Sequence, residues 1–188
     1  MRLHVIRHGM TEANEKRLYC SYTDLPLSEE GRSGLGLLKK TIVYPSADMY
    51  IISGLTRACA TLQILYDRKP DLVMEEFKEM DFGNFEMKNH DDLKDDPAYQ
   101  RWINGGSSVV CPGGESRDIF ENRVMIGFNK LSDLDAESAV VVCHGGVIVI
   151  IMEHLFPGKK NFYKWQPDFG RGYTLDIYHG SAALVSQL

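Results

Sequence analysis

The chain has 188 residues, of which 44% are hydrophobic and 25% are charged, and its formal net charge is −5 at neutral pH. This size and composition are typical of one globular domain with its own core. The acidic balance excludes a general positive field that would attract nucleic acid or an anionic membrane, so an anionic substrate would have to be bound by local arginines. The most apolar run, 139–152, is too short and too interrupted for a membrane span.

The N-terminus and the cysteines indicate a cytoplasmic protein. Met1 leads directly into an apolar stretch, which leaves no room for a signal peptide. The four cysteines lie far apart without a C-x-x-C spacing, and free thiols suit a reducing cytosol.

The first half of the chain alternates predicted strands with predicted helices. Ser28 and the two acidic residues after it indicate a helix start, because a hydroxyl can cap free N–H groups and acids favour the helix dipole. Apolar residues then recur at three-to-four spacing until Pro45 ends the helix. The other predicted elements of this half are strands at 3–6, 48–52 and 71–74 and a helix at 55–66.

The second half begins with an irregular, acidic section at about 75–114, which we expect to form a cap over the functional site. A long amphipathic helix follows Ser116, and its apolar stripe is most simply a core face. The uninterrupted apolar strand 139–143 is typical of a central parallel strand buried on both faces, and an apolar helix follows it to about Leu155.

The chain closes with a predicted hairpin of strands 173–178 and 182–185, joined by His179-Gly180-Ser181. The alternation of strands and helices predicts an α/β fold, a three-layer α/β/α sandwich with a mostly parallel sheet. The hairpin would add an antiparallel edge strand. We expect a single domain over 1–188, with a cap-like insertion at about 75–114.

Two of the predicted strands end in a histidine followed by a glycine, at His8 and at His144. Neighbouring parallel strands lie about 4.8 Å apart, so both imidazoles could face one pocket at the carboxyl edge of the sheet. Arg7 and Arg57 would supply planar donors for an anion there, with Asn14 as a neutral amide. These residues predict an anion site.

Simpler interpretations of these residues remain open at the level of the sequence. Arg7 and His8 could be a surface pair after an edge strand. Arg57 lies in the first turn of a helix, where a cation opposes the dipole unless an anion sits in front of it, but its side chain could extend into solvent. A metal bound by His8 and His144 is disfavoured, because the arginines would repel the cation and no carboxylate accompanies either histidine.

Several segments resemble the histidine phosphatase superfamily, the phosphoglycerate mutase-like group. Arg7-His8-Gly9-Met10-Thr11 matches its R-H-G-x-T signature, with Asn14 at the family's spacing. Further similar segments are D-x-P-L-[ST]-x-x-G at 24–31, S-x-L-x-R-A at 53–58, L-x-E-x-x-F-G at 77–83, G-E-S at 114–116 and the second histidine motif at 143–146. The chain departs from the family at Met10, at 20–22 and at 86–88, which leaves the substrate undetermined.

The resemblance implies a phosphoglycerate mutase-like fold and a role for each matched residue. His8 would be the nucleophile that forms a phosphohistidine, and Glu79 would alternate as acid and base. The residues implied to surround and bind the phosphoryl group or the substrate are Arg7, Arg57, Asn14, His144, Thr11 and Gly145. The resemblance implies no metal and no organic cofactor.

The implied function is a phosphomonoester phosphatase acting on a small phosphorylated metabolite. The short chain and compact cap are similar to the α-ribazole phosphatase and broad-specificity branch, so α-ribazole 5′-phosphate, an intermediate of cobalamin biosynthesis, is the leading substrate. Phosphoglycerate mutase activity and a catalytically idle phosphate-binding module are the alternatives. We expect no nucleic acid or membrane partner, and a homodimer is left open.

Four aromatic residues could bind a substrate with a ring, or could simply pack in the cap. They are Tyr19, Tyr22, Phe82 and Trp102.

Overall fold

The computed structural model describes residues 1–159, 162–178 and 181–188, without the side chains of Phe162 and Tyr163. The strands are β1 (Arg2–Arg7), β2 (Met49–Ile52), β3 (Leu72–Val73), β4 (Ser138–Cys143), β5 (Gly172–Tyr178) and β6 (Ser181–Gln187). The helices are α1 (Glu12–Glu15), α2 (Glu29–Thr41), α3 (Thr56–Tyr66), α4 (His90–Leu93), α5 (Pro97–Asn104), α6 (Arg117–Ser132) and α7 (Gly145–Leu155). Short 3₁₀ turns lie at Glu75–Phe77, Gly83–Phe85 and Phe162–Trp165.

The described strands form one mixed sheet in the order β3-β2-β4-β1-β5-β6. β1 and β2 both pair with β4 in parallel, and β3 pairs with β2 in parallel. β5 pairs antiparallel with β1 and with β6, so the hairpin lies at the edge of the sheet as predicted. Residues 179 and 180 of its predicted turn lie outside the described residues.

Helices cover both faces of the sheet, which confirms the three-layer sandwich. In β4, Val141 and Cys143 pack with α6 and α7, whereas Val140 and Val142 pack with α2 and α3. Because both sets of alternating side chains are buried, the strand is apolar without interruption. The stripe of α6 is buried as the sequence predicts, at Phe120, Val124, Phe128 and Leu131.

The local signals at helix starts act as expected. The Ser28 hydroxyl accepts from the N–H of Gly31, and the Ser116 hydroxyl accepts from that of Ile119. α2 forms although Gly34 and Gly36 lie within it, and it ends at Thr41, before Pro45. Tertiary packing of its buried face outweighs the weak helix propensity of glycine.

The segment 75–114 contains no strand and carries α4 and α5. Its core is a small cluster in which Phe85, Leu93, Tyr99 and Cys111 are buried, with Trp102 packed against them. The short helix α4 was not predicted, since four residues give too little periodicity to recognise. No helix in the described part of the chain is long and apolar enough to cross a membrane.

Candidate active site

The pairing of β1 with β4 brings the two predicted histidines together. Arg7 lies opposite Cys143 in the parallel register, so His8 and His144 follow the two strands side by side. Their ring centroids lie 5.0 Å apart. His8 is 5% exposed and His144 is 1% exposed. The interpretation of Arg7 and His8 as a surface pair is therefore wrong.

One ring nitrogen of His8 is hydrogen-bonded to the backbone, and this determines the protonation state of the other ring nitrogen. Nδ1 lies 2.6 Å from its partner, the carbonyl oxygen of Gly9, and a carbonyl can only accept, so Nδ1 carries the hydrogen. Burial, and next the charge of Arg57, lower the pKa of His8 to about 3. The ring is therefore neutral at physiological pH, and Nε2 has a free lone pair.

His144 is held by Ser53, whose hydroxyl lies 2.8 Å from Nε2. Nδ1 of His144 is buried and has no hydrogen-bond partner among the described residues. Burial, followed by the neighbouring His8 and Arg57, places the pKa of His144 well below its usual value. If the Ser53 hydroxyl donates to Nε2, the hydrogen of the neutral ring is on Nδ1, where it can be donated to a bound ligand.

Arg57 lies in the first turn of α3 and is 1% exposed, so the interpretation in which it extends into solvent is wrong. Its Nη2 donates to the carbonyl of Ser21 at 2.8 Å, and its Nη1 donates to that of Thr23 at 3.2 Å. Glu86 accepts from the N–H groups of both Ser21 and Thr23. The segment 21–23 thus lies between the carboxylate of Glu86 and the guanidinium of Arg57. These contacts fix the Arg57 side chain at the site.

Arg7 is positioned by a segment late in the chain. Its Nη1 donates to the carbonyl of Pro167 at 2.9 Å, and its guanidinium lies 3.9 Å from the centre of the Phe169 ring. Nε of Arg7 is buried and has no partner in the described part of the chain. Pro167 and Phe169 carry no motif, so sequence reasoning did not find them.

Asn14 and Thr11 form a local pair at the start of α1. Oδ1 of Asn14 accepts from the backbone N–H of Thr11 at 3.0 Å and from its hydroxyl at 2.9 Å. With Oδ1 engaged, the amide nitrogen of Asn14 remains as a donor. Thr11 thus acts on the orientation of Asn14.

Glu79 reaches the site from the 75–114 segment. One of its oxygens accepts from the N–H of Gly146 at 2.9 Å, and the other accepts from the N–H of Met80 at 3.0 Å. A Cβ on Gly146 would lie 2.3 Å from a Glu79 oxygen, so only glycine allows this approach. Gly145 is packed in the same way against Gln166, whose amide nitrogen would lie 2.3 Å from an added Cβ.

The backbone that carries Glu79 is bound by an ion pair. Arg123 pairs with Glu115 at 2.7 Å and also donates to the carbonyl of Glu79 at 3.1 Å. Glu115 in turn accepts from the N–H of Asp81 at 2.9 Å. In the sequence, Glu115 was recognised only as part of the G-E-S motif at 114–116. Arg123 was missed, because an arginine on a long helix gives no indication of the residue with which it pairs.

A cavity of about 570 Å³ opens next to Glu79. It lies between the 75–114 segment and the N-terminal parts of α6 and α7. Three of the four predicted aromatic residues line it, Tyr19, Phe82 and Trp102, and they also pack against one another. Tyr22 is 43% exposed and is not among the lining residues.

The donors gathered at the site suit an anion. Arg7 and Arg57 are cations, and Nε of Arg7 and Nδ1 of His144 are buried nitrogens that lack a partner among the described residues. Buried polar atoms are normally hydrogen-bonded, so these two indicate a ligand with acceptor oxygens. No group of three or more His, Cys, Asp or Glu side chains within the described residues could hold a metal ion.

Comparison with known proteins agrees with this geometry. A family model described as the histidine phosphatase superfamily (branch 1) matches residues 3–187. The chain belongs to this superfamily. Its matched segments include both histidine motifs and the segments that carry Arg57 and Glu79.

The relatives of this histidine phosphatase include enzymes with named substrates. The adenosylcobalamin/alpha-ribazole phosphatase of Escherichia coli is 34% identical over 191 residues, which covers 98% of this chain and 94% of that protein. The crystal structure of the alpha-ribazole phosphatase from Shigella flexneri superposes with a TM-score of 0.88 at 29% identity, covering 100% of this chain and 96% of that one. The phosphoglycerate mutase from Thermus thermophilus superposes with a TM-score of 0.76 at 30% identity, covering 100% and 98%.

These relationships confirm the predicted fold and enzyme class. The protein is a phosphatase of the histidine phosphatase superfamily, a hydrolase of phosphoric monoesters.

Proposed function

We propose that this phosphatase hydrolyses its substrate in two steps through a phosphohistidine on His8, without a metal ion. The observation that carries the proposal is the hydrogen bond from Nδ1 of His8 to the Gly9 carbonyl, 2.6 Å long, which leaves the neutral Nε2 as a nucleophile. Nε2 attacks the phosphorus, and the bond from phosphorus to the ester oxygen breaks. The departing oxygen takes a proton from the Glu79 carboxyl group.

The second step returns the enzyme to its starting state. Water attacks the phosphorus of the phosphohistidine, and the bond from phosphorus to Nε2 breaks with its electron pair returning to the ring. The Glu79 carboxylate takes the proton from the attacking water, so that one group serves as acid and then as base. Inorganic phosphate is released.

The charge that develops on the phosphoryl oxygens is matched by fixed donors. Arg7 and Arg57 supply positive charge, and Nδ1 of His144 and the amide of Asn14 supply neutral donors. All four are fixed before the substrate arrives, so little reorganisation is needed in the transition state. This arrangement supports a metal-independent mechanism, because the arginines take the part that a cation plays elsewhere.

We assign a small phosphorylated metabolite as the substrate, with α-ribazole 5′-phosphate as the leading candidate. Support for it comes from the names of the Escherichia coli and Shigella flexneri relatives, which match nearly the whole chain. The similarity to a phosphoglycerate mutase makes phosphoryl transfer to a second alcohol the alternative. Assays with 3-phosphoglycerate distinguish the two, since a mutase returns an isomer and a phosphatase releases phosphate.

The experiment compares the wild type with His8→Ala on α-ribazole 5′-phosphate and p-nitrophenyl phosphate, in the presence of a chelator. We expect wild-type turnover to resist the chelator, and His8→Ala to lose at least about 1,000-fold in kcat, since it lacks the nucleophile. A phosphohistidine should be detected after an alkaline quench of the wild type only. The exposed His154→Ala is the matched control and should keep both activity and phosphohistidine.

Two results would contradict the proposal. Turnover that survives His8→Ala would remove His8 as the nucleophile. Turnover that the chelator abolishes and a divalent metal restores would contradict the metal-free mechanism.

A further inference from the structure

The cavity beside Glu79 extends well beyond the groups that react. It is lined by Glu79, Gly146 and Gln166 next to the proposed reacting groups, and also by Trp102 and Ile103 of α5. The histidines and arginines of the phosphate site do not line it. A phosphate bound between His8 and His144 would therefore place its ester oxygen at Glu79, and the leaving group would extend into the cavity.

The size and lining of the cavity favour a large leaving group over a small one as its natural occupant. At about 570 Å³, it is in the range of sites for drug-sized molecules, which are mostly apolar with a few polar groups. Among the described lining residues, the charged side chains are those of Glu79 and Arg117. A three-carbon acid would leave most of this volume unfilled and most of the apolar wall in contact with water.

Aromatic rings form one wall of the cavity, and further aromatic rings outside the cavity pack against them. The Trp102 ring packs at 5.7 Å from that of Tyr19 and at 6.1 Å from that of Phe82. Phe85 and Tyr99, which do not line the cavity, pack on Trp102 at 5.6 and 5.9 Å. The wall is thus fixed before a ligand binds, which lowers the entropic cost of stacking a flat ring against it.

We propose that this cavity binds the leaving group and selects phosphate monoesters whose alcohol carries a flat, uncharged aromatic ring system. Trp102 determines this specificity by contact with the ring. The inference rests on the proposed function, because the position of Glu79 at the ester oxygen defines which end of the substrate enters the cavity. An uncharged ring suits a wall of Trp102, Phe82 and Tyr19 better than a carboxylate, which would lose its hydration there.

The test uses two esters with the same phosphorylated sugar, α-ribazole 5′-phosphate, which carries a ring system, and ribose 5-phosphate, which does not. We expect the wild type to hydrolyse the ester with the ring with a kcat/KM at least tenfold higher. Trp102→Ala should lower the ratio of the two kcat/KM values about tenfold, the scale of one aromatic stacking contact. Trp102→Phe should recover part of that loss.

Phe85→Leu is the matched control, because Phe85 packs on Trp102 but does not line the cavity. It should lower stability and reduce the ratio by less than Trp102→Ala does, because the Trp102 ring is still present. A wild-type ratio near one, or an equal fall of the ratio in Phe85→Leu and Trp102→Ala, would overturn the inference, since Trp102 would then act only through packing of the 75–114 segment.

Binding of the free alcohols separates this inference from the proposed function. Calorimetry should show that α-ribazole binds to the wild type and that ribose binds at least tenfold more weakly, with the difference reduced in Trp102→Ala. These measurements do not depend on phosphohistidine, so they test whether the cavity binds the ring system even if no phosphoenzyme forms. Equal binding of the two alcohols, or no binding of α-ribazole, would overturn the inference.

Discussion

Single residues in this site are kept in the protonation states that the proposed mechanism requires. His8 and His144 stay neutral because they are buried and because arginines lie beside them. Nδ1 of His8 is bound to the Gly9 carbonyl, so the reactive lone pair is fixed on Nε2. Ser53 engages the opposite nitrogen, Nε2, in His144. The two rings therefore fit the different roles that the proposed mechanism gives them, nucleophile and hydrogen-bond donor.

The neutral state of His8 makes folding stability depend on pH. Its pKa is about 3 in the folded protein and about 6.5 when unfolded, so between these values the unfolded chain binds the extra proton. The stability that His8 contributes is full above pH 6.5 and is lost as the pH falls towards 3. From pH 7.5 to 5 this loss is about 2 kcal/mol for His8 alone.

Urea unfolding of the wild type and His8→Ala at both pH values measures this effect. The mutant should lose about 2 kcal/mol less than the wild type over the interval. Equal losses in the two proteins would show that His8 is not held neutral.

Glu79 should matter most when the leaving group needs a proton. We expect Glu79→Gln to slow phosphoenzyme formation about 100-fold or more with an alkyl phosphate, whose alkoxide leaves poorly. With p-nitrophenyl phosphate the first step should fall only a few-fold, because that oxygen leaves without a proton. Single-turnover rates isolate this step from the later attack of water. Similar losses on both esters would refute the role of Glu79 as acid.

At the scale of elements, the site lies where strands end and helices begin. β1 and β4 deliver His8 and His144, and α3 delivers Arg57 in its first turn. The first turn of α7 supplies the N–H of Gly146 to the Glu79 carboxylate. The start of α7 therefore orients the Glu79 side chain.

Two glycine-to-alanine substitutions test how closely α7 must approach Glu79. In Gly146→Ala the added Cβ would lie 2.3 Å from a Glu79 oxygen, so the carboxylate must move. We expect kcat/KM to fall about 100-fold, because a displaced general acid no longer reaches the ester oxygen. The folded structure should persist.

Gly34→Ala is the control within α2, where an added Cβ would meet nothing within 4 Å. It should leave activity unchanged and raise stability by up to about 1 kcal/mol, since alanine favours the helix. Steady-state kinetics and urea unfolding of both variants check this pair. Full activity in Gly146→Ala would show that Glu79 does not need this contact.

At the scale of the whole molecule, the chain has a net charge of −5 but places positive charge and buried donors together at the carboxyl ends of β1 and β4. Nε of Arg7 and Nδ1 of His144 lack partners among the described residues. An anion that satisfies them binds the folded state and not the unfolded chain, so it must stabilise the fold by mass action.

Inorganic phosphate should therefore raise the Tm. Above its Kd, each tenfold increase in concentration adds about 1.4 kcal/mol, or about 3–5 °C for a chain of this size. Thermal unfolding against phosphate, with sodium chloride at matched ionic strength as control, measures the shift. Arg57→Gln should reduce it. An equal shift in chloride would mean that screening, and not binding at the site, causes the effect.

The candidate site residues at strand ends were predictable because their signals are local. A strand followed by His-Gly, and a helix with an arginine in its first turn, are each encoded within a few residues. Both apolar faces of β4 and the cap of α2 at Ser28 are equally local signals. These signals were sufficient to predict the layers of the fold and the proximity of His8 and His144.

The sequence by itself therefore determined the α/β sandwich, the two histidines and Arg57, since strand periodicity and cap residues act over short distances. Only the tertiary structure decided how these groups are held: Ser53 on His144, Pro167 and Phe169 on Arg7, and Gly146 on Glu79. It also decided that Tyr19, Phe82 and Trp102 line a cavity as well as pack together. These contacts join residues far apart in the chain, and no local pattern specifies a partner at that distance.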